Sequence, residues 1–200
     1  MCKGLMNQEE VWDAVAEDWA DFRTRRVDEV VEFISGKCGT VLDLGCGSGR
    51  NFIKSEDLEF YGVDFSEKLL ELARNKGYVE LKKGVVDEIP CSDDLFDYVA
   101  FVRVLHCVEG EEKRKKSLRE VYRVLKKGGE AVISTIGPQS PRTKNKPKEG
   151  FLPWTVKGHR HERYNYTYDK DELEEQLKEV GFKIISIEEN RNIVAVVRKG

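Results

Sequence analysis

Three glycines at alternate positions, Gly45, Gly47 and Gly49, directly follow the apolar run Val41–Leu44, and Asp43 sits inside that run. A glycine turn after a strand lets the backbone approach a bound nucleotide where a side chain would collide. Dinucleotides call for the spacing G-x-G-x-x-G, with a pyrophosphate at the start of the next helix. The spacing here is G-x-G-x-G, and an acid in the strand suits an ammonium group better than a phosphate. S-adenosylmethionine has no phosphate and carries an amino-acid arm, so this pattern points to it. A second acid, Asp64, closes the run FYGVD about twenty residues later, where a carboxylate accepts from ribose hydroxyls. In GVVDEIP, Asp87 can accept from an adenine amino group, with Phe65 and Val86 as apolar faces for the ring.

The elements that must position these residues alternate between short runs rich in Val, Ile and Phe and longer runs of helical spacing. The spacing predicts helix over 9–35, a strand over 40–44, a helix starting at 49–54, a strand over 59–64, a helix over 67–76 and a strand over 78–83. It then predicts a strand over 96–102, a helix over 113–127 ended by Gly128 and Gly129, and a strand over 130–136. Residues 137–163 hold four of the five prolines and read as a loop. A helix over 170–180 and two strands, 182–188 and 193–198, close the chain. Alternating strands and helices imply a parallel sheet wound on both faces, and the final pair reads as an antiparallel hairpin at one edge.

The 200 residues fit a single domain, with a helical leader over 1–39 and an insertion at about 137–168. Lys and Arg number 34 against 37 Asp and Glu, so a nucleic-acid partner needs a local patch. The first ten residues lack the apolar core of a signal peptide and no run approaches a membrane span of about 20 residues, which reads as cytoplasmic. Cys2, Cys38, Cys46, Cys91 and Cys107 are scattered, with no CxxC pair, and read as free thiols rather than disulfides or a metal site.

VLDLGCGSG, GVDFS, GVVDEIP, FDYVAFVRVLHCV and LREVYRVLKKGGEAVIS match in order the motifs of the class I S-adenosylmethionine-dependent methyltransferases, and the chain resembles that family over nearly its whole length. The resemblance implies an α/β, doubly wound, Rossmann-like sheet of seven strands, mostly parallel with the last antiparallel. It also implies S-adenosylmethionine as cofactor and S-adenosylhomocysteine as product. The implied cofactor residues are Trp19 in the leader, Asp43, Gly45, Cys46, Gly47 and Gly49 around the first turn, and Asp64 and Phe65 after the second strand. Val86, Asp87 and Glu88 follow after the third strand, and Val102 and Arg103 at the end of the fourth.

Within that class the chain is most similar to the tRNA wobble-uridine methyltransferases that esterify 5-carboxymethyluridine. VWDAVAEDWADFRTRR resembles their leader, and FLPWTV with ERYNYTYDKDELEEQL resembles their substrate-side insertion and the helix after it. VRVLHCV stands where members carry Ile-His-His, so Cys107 replaces the second His. This resemblance implies a tRNA anticodon loop as substrate and a heterodimer with a small zinc-binding activator subunit covering the sheet edge at YVELKKGVV.

The insertion itself is compatible with RNA: from Arg142 to Arg163 there are seven basic residues against two acids. Lys144, Lys146, Lys148 and Arg163 are candidate phosphate contacts, and Trp154 and Tyr164 candidate stacking faces. A carboxylate acceptor with a pKa near about 4 is already ionised at neutral pH, so the transfer needs orientation rather than a strong base. Arg23 and Arg26 are candidates to orient it by bidentate bonding, and His106, just past the fourth strand, is a third candidate. His106 reads equally well as a structural helix-start residue. His159, His161 and Cys107 are not expected to form a metal trio. The competing readings are a methyltransferase for quinones or other small metabolites, an NAD-dependent oxidoreductase, and a non-catalytic binding module.

Overall fold

A computed structural model describes residues 7–200, and Cys2 lies outside them. Seven strands form one sheet in the order β3-β2-β1-β4-β5-β9-β8, comprising β1 (Gly39–Leu44), β2 (Leu58–Asp64), β3 (Glu80–Lys83), β4 (Phe96–Val102), β5 (Leu125–Ile136), β8 (Phe182–Glu189) and β9 (Asn192–Lys199). β1 to β5 pair in parallel, while β9 runs antiparallel to both of its neighbours, β5 and β8. The last strand is therefore the antiparallel one, and it lies inside the sheet with β8 as the edge.

Alternation along the strands makes both faces apolar. Val41 of β1, with Ala100 and Val102 of β4, joins Val30 and Phe33 of helix α2 (Asp28–Ile34). Leu42, Leu44, Val99 and Phe101 point the other way, toward Leu118 of α4 (Glu111–Val124) and Leu173 of α5 (Lys170–Val180). A sheet buried on both sides needs strands that are apolar throughout, and this is why Val41–Leu44 tolerates only one polar residue. β1 lies between β2 and β4, so the chain reverses its direction of winding there, and the crevice beyond the carboxyl ends of β1 and β4 is the place for a ligand.

The expected single helix over 9–35 is two helices, α1 (Gln8–Phe22) and α2. Asn7 and Glu10 form a capping box at the start of α1, and Arg23 N–H closes it on the Trp19 carbonyl. The break lets α1 cover the crevice while α2 packs on the sheet. No helix follows the glycine turn, because Gly49 sits in the left-handed region and residues 49–52 close i to i+3 turns instead, with Phe52 packed on Phe60. α3 (Glu67–Ala73) is the first helix after β1, capped by the Ser66 hydroxyl. Gly128 and Gly129 do not end α4; they lie within β5, which starts at Leu125.

The stretch read as a loop carries a two-stranded hairpin, β6 (Glu149–Val156) and β7 (His159–Tyr166), with its turn at Lys157-Gly158. The prolines that suggested a loop are spread over the turns before it and one position in β6, an edge strand where a missing N–H is tolerated. The hairpin is fastened to α1. Trp154 Nε1 donates to Asp18 at 2.6 Å, the Gln8 amide bonds the Tyr164 N–H and the Glu162 carbonyl, and Trp154 packs edge-on against Trp19 and Phe22. Among the described residues no helix is long and apolar enough to cross a membrane.

If these contacts hold the hairpin down, Trp154→Ala will speed amide hydrogen exchange across 149–166 by at least about tenfold, since each lost aromatic or hydrogen-bond contact is worth about 1 kcal/mol. Amides of β1, β4 and β5 should stay as slow as in the parent protein. Uniform acceleration of both sets would show that Trp154 supports the whole fold instead.

Candidate active site

A cavity of about 550 Å³ opens at the carboxyl ends of β1, β2 and β4. Gly45, Cys46 and Gly47 form one wall, Asp64 and Phe65 a second, and Val86 and Asp87 a third. Val102 and Arg103 close it from β4, while Trp19 and Arg23 reach over from α1 and the turn after it. Eleven residues expected from the sequence thus converge on one space.

The glycines serve different ends. All three have positive φ, but a Cβ on Gly45 would lie 2.4 Å from a methyl of Val104, whereas one on Gly47 would meet nothing within 4 Å. Gly45 is needed so that the turn can pack, and Gly47 leaves the wall of the cavity open. Gly49 packs beside Tyr78 and lies outside the cavity.

Asp64 holds the site together. Its Oδ2 accepts the Gly47 N–H at 2.8 Å and its Oδ1 the Ser66 N–H at 2.9 Å, and it lines the cavity. Asp43 lies elsewhere. It was expected to meet an ammonium group, yet it is 1% exposed, accepts from the Tyr78 hydroxyl at 2.8 Å and lines no part of the cavity. The period-two alternation of β1 turns it toward Tyr78 and Asn51, beneath the glycine turn. Burial pushes both carboxyls up to about 6.

Arg103, directly after β4, has φ 61, a left-handed conformation that costs a non-glycine residue about 1–2 kcal/mol. That geometry turns its guanidinium onto Glu29 of α2, at 3.2 and 3.4 Å, where it lines the cavity. Beyond it lies a second cavity of about 360 Å³, which shares Trp12, Trp19, Arg23, Arg50, Arg103 and Cys107 with the first. His106 lines this second space. Burial, then Arg163 and Arg103, pull its imidazole down to about 3, so it is neutral at pH 7.

The family model described as a methyltransferase domain matches residues 42–133. A methyltransferase-family protein of Encephalitozoon cuniculi is 32% identical over 168 residues, 80% of this chain and 78% of that protein. The chain belongs to the S-adenosylmethionine-dependent methyltransferases. The tRNA (carboxymethyluridine(34)-5-O)-methyltransferase of Schizosaccharomyces pombe is 25% identical over 203 residues, 88% of each chain. The fold recurs in solved S-adenosylmethionine-dependent methyltransferases. It recurs as well in a complex of the Haloferax volcanii Trm112 methyltransferase activator with a methyltransferase, at TM-score 0.71 and 15% identity over 98% of this chain and 99% of that one.

Other residues of this methyltransferase stand away from their expected places. Arg26 is exposed and lines neither cavity; its Nε donates to the Phe52 carbonyl at 2.9 Å and ties the leader to the glycine turn. Glu88 is exposed outside the cavities. Tyr164 has no free face for a base: it is 3% exposed, takes a hydrogen bond from Arg114 and donates one to Glu149. Trp154 is engaged with α1, and Lys148 pairs with Asp169 and Glu172 at 2.7 and 2.9 Å. Lys144 and Lys146 are exposed and line neither cavity. Arg163 lies within 4.9 Å of the Trp19 and Trp154 ring centres and lines the second cavity. The sequence reading did not single out Arg50 or Arg191; the first followed the glycine motif in plain sight, and the second had no signal at all. Cys38, Cys46, Cys91 and Cys107 are free thiols.

The glycine geometry predicts opposite outcomes for two like substitutions. Gly45→Ala should cost about 2–3 kcal/mol in denaturant unfolding, from the clash and the positive φ together. Gly47→Ala should cost about 1 kcal/mol yet weaken S-adenosylhomocysteine binding about tenfold by calorimetry. A second prediction concerns pH. A carboxyl raised in the folded state adds stability that is present below its unfolded pKa of about 4 and lost as pH rises through about 6. Urea unfolding at both pH values should therefore show a smaller fall in stability for Asp64→Asn than for the parent; equal falls would mean that Asp64 titrates normally.

Proposed function

We propose that this methyltransferase esterifies the carboxylate of a 5-carboxymethyl uridine at the wobble position of tRNA, working as a heterodimer with a small zinc-binding activator. The observation that carries this reading is the junction of the cavities: a space built for a nucleoside-like donor opens, past Arg23, Arg50 and Arg103, onto one lined by arginines. An acceptor on that side is an anion. The named activity of the Schizosaccharomyces pombe relative agrees with it.

The residues present fit the donor. Asp64 offers its carboxylate for ribose hydroxyls, Asp87 stands beside Phe65 and Val86 for an adenine, and Gly47 leaves room. When bound, S-adenosylmethionine supplies an electrophilic methyl group. The chain's own part is to hold the acceptor. A carboxylate needs no proton removed, which agrees with a neutral, buried His106 and with the scarcity of acids beside it. Among the described residues Arg23 makes no ion pair; it stacks over Trp19, free to take two carboxylate oxygens, while Arg103 is held in place by Glu29. α1 and the hairpin roof the junction and keep water from competing.

Support for the partner comes from the far edge of the sheet. β3 is four residues long and, among the described residues, unpaired on its outer side, and Val79 and Val85 beside it are 58% and 44% exposed. A strand added there would satisfy the edge and cover both valines. A small acidic metabolite is the second reading, favoured by Lys144 and Lys146 lying away from the cavities.

The test is transfer from labelled S-adenosylmethionine to tRNA lacking the modification, with and without the zinc-binding subunit. A base-labile methyl group on the wobble uridine, formed only with the subunit, is the expected product. Label in a small acid and none in tRNA would replace the first reading by the second. Arg23→Gln should lower kcat/KM about a hundredfold, the loss of two charge-assisted hydrogen bonds, with donor affinity nearly unchanged.

A further inference from the structure

The second cavity is lined by Arg23, Arg50, Arg103, Arg142, Arg163 and Arg191 and, among the described residues, by no Asp or Glu. Arg103 is paired with Glu29; among the described residues the other five make no ion pair. The Nε atoms of Arg23, Arg103 and Arg163 and the Nδ1 of His106 are buried without a hydrogen-bond partner. Crowded cations without counter-ions are costly, and an anion relieves them. Burial, and next the neighbouring Arg103, hold Arg50 below the ordinary guanidinium range.

The six arginines divide in two. Arg23, Arg50 and Arg103 also line the cofactor cavity and stand where methyl transfer must occur. Arg142, Arg163 and Arg191 line only the second cavity, brought there by the turn after β5, by β7 and by the β8–β9 turn. Ser140, Asn165 and Asn192 lie among them and add neutral hydrogen-bonding groups. One carboxylate at the junction satisfies the first group and leaves the second facing nothing. Arg142 and Arg191 are exposed, so this end is open to a group that remains part of a longer chain.

We propose that the outer three arginines form a phosphoryl site, so that the acceptor is a nucleotide held at two points: its phosphate on Arg142, Arg163 and Arg191, and its reacting carboxylate at Arg23 and Arg103. Guanidinium forks match pairs of phosphate oxygens. Two anchors fix both the position and the direction of the acceptor, which one charge cannot do. The nucleotide identity rests on the reading of the acceptor given above, whereas the phosphoryl site stands on the cavity alone.

Inorganic phosphate is the first probe, added to the protein saturated with S-adenosylhomocysteine, with chloride at matched ionic strength as control. Phosphate should raise Tm saturably and chloride should not. Uridine 3′-monophosphate should bind about tenfold more tightly than uridine, the gain from charge-assisted bonds to one added anion. Both effects should vanish in the double variant Arg142→Gln, Arg191→Gln, whose unchanged S-adenosylhomocysteine affinity checks its folding. A phosphate effect no larger than that of chloride, or one that persists in the double variant, overturns the site. Phosphate binding that disappears in the variant with no preference for uridine monophosphate supports the phosphoryl site and overturns the uridine nucleotide. Esterified tRNA with no phosphate effect does the reverse.

Discussion

One carboxyl group ties the ends of two strands into a single site. Asp64 closes β2, accepts from Gly47 in the turn after β1, and accepts from Ser66 at the start of α3. Ser66 in turn caps α3 and donates to Asp13 of α1 at 2.5 Å. The floor, one wall and the roof of the first cavity are thus connected through the side chains of Asp64 and Ser66, both almost fully buried. A buried carboxylate is tolerated there because backbone N–H groups satisfy it, and a displaced Asp64 would leave those donors without a partner.

Much of this arrangement was legible in the sequence because β-strand alternation and glycine spacing are local signals. The doubly wound sheet, the order of its strands' motifs and the antiparallel final strand follow from where apolar runs begin and end. The errors also have local causes. Helical spacing continues through residues 23–27, so nothing in the periodicity marks the break that frees α1 from α2. The turn at 45–51 lacks a helix because Gly49 takes a left-handed conformation, which a spacing rule cannot register. The β6–β7 hairpin was hidden by four prolines, three of which lie in the turns before it.

The site was legible where the strands deliver residues to their carboxyl ends, as at Gly45, Asp64 and Arg103. It was not legible where a side chain's neighbours decide its role. Asp43 has the type and position of a ligand contact, yet Tyr78, thirty-five residues away, claims it. Tyr164 has a face suited to stacking, yet Arg114 and Glu149 hold it inside. The basic run showed charge but not direction: Lys148 turns to acids at the start of α5, Arg142 and Arg163 line the second cavity, and Arg191 joins them from a turn that carries no signature.

The fastening of the hairpin to α1 has a consequence for the order in which the molecule is made. Trp154 reaches Asp18 across 136 residues, and Tyr164 reaches Gln8 across 156. On a ribosome, α1 emerges long before its counterpart, and β9, which must enter between β5 and β8, emerges after both. A nascent chain stopped short of the hairpin would present its glycine turn and the aromatic face of α1 without a cover. The cover of the cavity is therefore made only after the five parallel strands that carry its floor.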